Sequence, residues 1–132
     1  MIEHTADVGL EIWAPDLDEL FAEAAVALVA VMGSPAAHTG TATKVTLEAP
    51  DLDALMVDWL SEILFLFEAR ELVPVGARVQ VWKQPWRVNA VIDGVGAEGF
   101  RQEGPAVKAV TYHGLEVKQT SAGYEARVYL DV

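Results

Sequence analysis

Three short stretches of this chain concentrate groups able to bind ions or polarise bonds: His4 to Gly9, Lys108 to His113, and the closing pair Asp131 and Val132. Asp131 stands next to the terminal α-carboxylate of Val132, so two hard oxygen donors fall within one residue of each other. Asp7 lies three residues after His4, just ahead of an alternating segment. If the first and last strands are neighbours, Asp7, Asp131 and an oxygen of Val132 converge on one ion, and all-oxygen ligation selects calcium or magnesium over zinc or copper. Two ordinary roles compete. A lone aspartate before a strand caps a turn through backbone amides, and chain ends usually fray. The strand pattern nevertheless runs to the final residues, which implies that they are tied into a sheet. His4 could orient a carboxylate from behind the ion, although a histidine at a strand start is more often packed or exposed. Lys108, in Ala106-Val107-Lys108-Ala109-Val110, is a lone cation among small apolar residues. It could anchor a phosphate or a partner's carboxylate, or snorkel from a sheet edge, and spacing alone favours snorkelling. His38, between an alanine and Thr39-Gly40, is assigned no role.

Much chemistry is excluded. The 132 residues contain no cysteine, which removes disulfides, thiolate metal sites and cysteine nucleophiles. No phosphate-binding Gly-x-x-x-x-Gly-Lys loop, nucleophile elbow or dinucleotide fingerprint is present. The net charge of −11 is uneven: residues 1–71 hold 2 Lys and Arg against 14 Asp and Glu, and residues 72–132 hold 7 against 6. An acidic chain without a basic stripe is a poor candidate for direct nucleic-acid contact. A cation or a basic protein partner suits it better, unless the acid serves solubility alone. The longest apolar run, Ala24 to Met32, is too short to span a bilayer, and no basic-then-apolar leader opens the sequence. A cytoplasmic protein with no membrane association is expected.

The elements that must position these groups are legible from periodicity. Val8, Leu10 and Ile12 alternate with Gly9, Glu11 and Trp13, which predicts a half-buried strand. Asp16, with Glu19 three residues on, caps a helix that Gly33 can close, burying Leu20, Phe21, Ala24, Ala25 and Leu28. Val45, Leu47 and Ala49 mark a second strand ending at Pro50. Asp51 caps a second helix, Asp53 complements its dipole, and Leu55, Met56, Trp59, Leu60, Ile63, Leu64 and Phe67 form its apolar stripe. Such a stripe is more often core than ligand pocket. Residues 78–83 with 87–93, and 115–120 with 124–130, read as hairpins. The glycine-rich stretch from 94 to 104 reads as a mobile loop. The expected architecture is one α+β domain over 1–132: a two-layer fold in which two main helices pack on one face of a mostly antiparallel sheet.

Four segments together resemble one family, the archeases: His4-Thr5-Ala6-Asp7-Val8-Gly9, the helix segment Trp59 to Glu68, Val107-Lys108-Ala109-Val110-Thr111-Tyr112-His113, and Asp131-Val132. The match runs the length of the chain in order, and the first and third motifs are the distinctive ones. The resemblance implies a small protein, not itself an enzyme, that activates the RtcB-type tRNA-splicing RNA ligase by promoting its guanylylation and repeated turnover. It implies that Asp7, Asp131 and Val132 hold a divalent cation, calcium first and magnesium or manganese as alternatives. Lys108 matches a lysine implicated in activation, and His4 and His113 stand with it as supporting or interface residues. A monomer whose partner is the ligase is expected. The chain departs from the family pattern at Gly104-Pro105-Ala106, where Gly-Thr-Glu is usual, which puts any role of that glutamate in doubt. From a different class, the competing reading is a general protein-binding chaperone or acidic interaction module. A metal-dependent hydrolase is disfavoured because no general base accompanies Asp7, Asp131 and Lys108.

Overall fold

A computed structural model describes residues 7–37 and 40–132; His4 and His38 lie outside them. The chain opens with strand β1 (Asp7–Ala14), whose outward Glu11 and Trp13 alternate with buried Leu10 and Ile12. Helix α1 (Leu17–Met32) follows at once. The Asp16 carboxylate accepts from the Glu19 backbone N–H at 2.8 Å, satisfying one of the donors that a helix start leaves free. The five residues expected on its inner face are all buried. Strands β2 (Gly33–Ser34) and β3 (Thr41–Ala49) lead to helix α2 (Leu52–Arg70), capped by Asp51 through the Ala54 N–H at 2.8 Å. The remainder is β4 (Leu72–Trp82), β5 (Trp86–Gly96), β6 (Arg101–Gln102), β7 (Ala109–Thr120) and β8 (Gly123–Asp131). No helix among the described residues is long and apolar enough to cross a membrane.

The α+β class with antiparallel pairing holds, but among the described residues the strands do not form one sheet. They divide into two three-stranded sheets, ordered β1-β8-β7 and β3-β5-β4, and a two-stranded β2-β6 ribbon. Periodicity reveals which face of a strand is buried, not which strand lies beside it, so the division could not be read beforehand. Each sheet turns alternate residues inward, and the two helices lie against both: α1 packs on β1 and β4, α2 on β7 and on β3, β4 and β5. One hydrophobic cluster therefore draws on both sheets. At its centre Trp59 is fully buried, and its indole N–H donates to the Phe21 carbonyl at 2.8 Å, joining α2 to α1.

Three boundaries differ from expectation. Strand β4 begins at Leu72 and β7 at Ala109, each several residues earlier than the alternation suggested, because each contains a register shift: at Pro74/Gly76 and between Thr111 and Glu116. A bulge changes which residues face inward and so erases the two-residue period. The stretch expected as a mobile loop, 94–104, is tied down. Residues 94–96 complete β5, β6 pairs with β2, and the Glu103 and Gly104 N–H groups both donate to the Met32 carbonyl at 3.0 and 3.1 Å.

Candidate cation site and its surroundings

The first and last strands are neighbours, and their register sets Asp7 directly opposite Asp131. Opposed residues of an antiparallel pair point to the same face with Cβ atoms about 4.5–5.5 Å apart, and like charges so placed repel. Asp7 is exposed and Asp131 half-buried. The Asp131 Oδ1 atom is fully buried and accepts no hydrogen bond among the described residues. A carboxylate can only accept when ionised, and burying such an oxygen without a donor is costly. Both features, the repulsion and the orphaned oxygen, are relieved by a positive charge between the strands. Two carboxylates at the end of a sheet thus fit an oxygen-ligated cation. Val132, half-buried, continues the chain one residue beyond β8. Among the described residues no three His, Cys, Asp or Glu side chains cluster as a fuller metal cage.

On the other side of Asp131 lies β7, with Ala109 opposite it, and the Lys108 N–H donates to the Asp131 carbonyl at 2.7 Å. Asp131 is therefore held between two motifs far apart in sequence. The Lys108 side chain is exposed and makes no ion pair among the described residues. It borders a hollow of about 270 Å³ shared with Ser61, Leu64, Phe65 and Glu68 of α2. The helix segment and the third motif thus meet beside the carboxylate pair. Phe65 is 48% exposed there, with the Arg70 guanidinium 6.0 Å from its ring centre. His113 is exposed in the β7 bulge, where its N–H donates to Thr111 Oγ1 at 3.0 Å. His113 makes no hydrogen bond or ion pair with Asp7 or Asp131 among the described residues.

Tyr129 was not among the residues singled out from sequence. It sits two residues before Asp131, opposite both Gly9 and Thr111. A Cβ on Gly9 would lie 3.2 Å from Tyr129 Cε1, and one on Gly114, whose φ is +72°, would lie 2.7 Å from Cε2. The ring is therefore housed between two glycines, one from the first motif and one just after the third. The signal was present: a glycine at an outward strand position often leaves its place to an aromatic from the next strand.

The whole chain, residues 1–132, matches the model of the archease protein family. Protein archease of Methanosarcina acetivorans is 37% identical over 99% of this chain and 93% of its own length. That of Pyrobaculum calidifontis is 33% identical, covering 98% and 92%. The solution structure of Methanobacterium thermoautotrophicum protein 1598 superposes with a TM-score of 0.76 at 27% identity, covering 99% of this chain and 96% of that one. A Thermotoga maritima crystal structure, described as an archease and possible chaperone, shares the fold with a TM-score of 0.68 at 22% identity, over 100% and 95%. Matched by the family model over its whole length and by curated relatives at more than 30% identity, this chain belongs to the archease family.

Proposed function

We propose that the chain is an accessory protein that activates an RtcB-type tRNA-splicing RNA ligase, promoting its guanylylation and multiple turnover from a cation-bearing tip formed by β1 and β8. The observation that carries the reading is the opposition of Asp7 and Asp131, with the buried Oδ1 of Asp131 lacking a hydrogen-bond partner and Lys108 lacking an ion pair among the described residues. Asp7 and Asp131, with an oxygen of Val132, are the ligands; calcium suits all-oxygen donors and irregular geometry, and magnesium or manganese are the alternatives. When bound, the ion supplies positive charge at a surface otherwise dominated by acid. Lys108, on the far side of Asp131, is free to meet a carboxylate or phosphate of the partner. Among the described residues no nucleophile is paired with a base at this tip, and the part proposed for the chain is to favour one arrangement of the ligase. It can do so only by binding that arrangement more tightly than the other.

The test is a multiple-turnover guanylylation and ligation assay with the ligase of the same organism. Wild type should stimulate, whereas Asp7→Ala, Lys108→Ala and a chain lacking Asp131 and Val132 should each lose about tenfold or more of that stimulation. Absence of stimulation by wild type, or equal stimulation by every variant, sinks the reading. The second reading, a general protein-binding chaperone, draws on the exposed Phe65, Tyr112 and Trp13. It predicts suppression of aggregation of unrelated proteins that survives loss of Asp7 and Lys108.

A further inference from the structure

All nine Lys and Arg side chains lie among the described residues, and their pairing is uneven. Arg87, Arg101, Lys118 and Arg127 are held in ion pairs, and Arg70 stands over Phe65. Lys83 and Lys108 are likewise outside any ion pair among the described residues, but Lys44 and Arg78 stand together: neither has a carboxylate within ion-pair distance there, although the chain carries 20 acids. Both are exposed, and they occupy the same row of the β3-β5-β4 sheet, each paired with Val91 between them. They border one open hollow of about 400 Å³ together with Thr46, Gln80 and Asn89.

Paired rows share a face, so the outward surface can be read row by row. The first row is Lys44, Val91, Arg78; the next is Thr46, Asn89, Gln80; the third is Glu48, Arg87, Trp82. On the far side of the cations one acid, Asp93, stands opposite Ala42 and Gly76 and limits an anionic ligand to the amide side. In the third row Glu48 is consumed by Arg87 at 2.7 Å, and Trp82 is 51% exposed. Alternate residues on a strand are roughly 6.6–6.8 Å apart, so Trp82 lies about 13 Å from Arg78 along β4.

We propose that this face binds single-stranded RNA, with Lys44 and Arg78 on the phosphates, Thr46, Gln80 and Asn89 on base edges, and Trp82 stacking a base. The whole-chain charge of −11 argues against a polyanion, but exposed charges beyond a Debye length of about 8 Å are largely screened at physiological salt. Local composition therefore governs contact. A small anion would use only the cation row. An acidic peptide would use the cations but does not present an aromatic base to Trp82 at every residue, as a nucleotide strand does. A nucleotide strand uses all three rows, and cations, amides and an aromatic on an open sheet face are the usual means of holding one.

The experiment is fluorescence anisotropy of a labelled ten-nucleotide single-stranded RNA titrated with the whole chain at about 50 mM salt, without ligase or calcium. The site lies on the other sheet from the carboxylate pair, so the outcome is independent of the ligase reading. Wild type should bind in the micromolar to sub-millimolar range, with log K falling against log salt at a slope of about 1.4, that of two neutralised phosphates on a single strand. Lys44→Glu with Arg78→Glu should weaken binding at least tenfold, since both sites are exposed and away from the core. Trp82→Ala should weaken it about fivefold to a hundredfold, the loss of one stacked base. No binding by wild type, or equal binding by the double variant, overturns the proposal. Equally strong binding of a duplex, or displacement by polyglutamate of matched charge, also overturns it, the latter in favour of an acidic protein segment.

Discussion

The outward faces of the two sheets handle charge in opposite ways. On β1-β8-β7, Arg127 meets Glu11 at 3.4 Å, Lys118 meets Glu116 at 3.2 Å, and the Trp13 indole N–H donates to Glu125 at 3.0 Å. What remains unneutralised is the Asp7 and Asp131 end, a surplus of acid. On β3-β5-β4, Arg87 takes Glu48 through both Nε and Nη2, at 3.1 and 2.7 Å, and what remains is the cations Lys44 and Arg78, with Asp93 one row beyond them. Exposed ion pairs such as these contribute about 0–1 kcal/mol and specify little. The residues to suspect of function are those the fold leaves uncompensated: an acid pair with Lys108 beside it at the end of one sheet, and a cation pair on the face of the other.

That contrast concerns surfaces alone if both sheets share one core, and the largest expected effect tests this. Trp59→Ala removes the side chain buried between the helices and its hydrogen bond to Phe21. It should cost about 3–5 kcal/mol, with Trp59→Phe milder. Urea unfolding followed by circular dichroism should show a single transition moved to lower midpoint. Two separated transitions would mean that the sheets stand on independent cores, and the comparison would become one between two units.

The next effect sharpens the contrast itself. A cation bound only by the folded chain must stabilise it, by about 2.7 kcal/mol at a hundred times the dissociation constant. Calcium titration followed by thermal unfolding should raise the midpoint of wild type and of the Lys44→Glu, Arg78→Glu variant alike, and leave Asp131→Asn unmoved. A shift that survives in Asp131→Asn would place the ion elsewhere and return Asp7 to the role of a turn cap.

How far the sequence disclosed this arrangement depends on the kind of interaction involved. Both helix starts were legible because an aspartate cap is a local bond, and Asp16 and Asp51 each accept from the amide three residues on. The inner face of α1 was legible because helical spacing reports burial directly. The partition into two sheets was not, since β3 pairs with β5 and β8 with β1 across long stretches of chain. The opposition of Asp7 and Asp131 was legible only on the condition that the terminal strands meet, a condition the register satisfies. Tyr129 escaped because its role depends on the glycines opposite it, and Lys44 and Arg78 escaped because they lie 34 positions apart in sequence. Net charge concealed that last pair altogether.

The smallest effect lies where α2 meets the first sheet. Asp53, in the first turn of α2, has its carboxyl raised above the ordinary value of 3.8 by partial burial first, and by the nearby charges of Asp51 and Glu116; the Val117 backbone amide pulls the other way. The helix start itself favours a negative charge, so the two influences compete at this residue. If burial and repulsion prevail, the folded chain holds the Asp53 proton more firmly than the unfolded chain does. Stability from this group is then fully present below the ordinary carboxylate value and is lost as pH rises through the raised one. At neutral pH Asp53→Asn should therefore be slightly more stable than wild type. The gap should close as pH falls from about 7 toward about 3, where both states of wild type become protonated. Unfolding midpoints of the two proteins across that range decide it. If Asp53→Asn is instead the less stable at neutral pH, the helix dipole outweighs burial, and surplus acid on this side of the molecule is tolerated at helix starts as well as at the β1-β8 end.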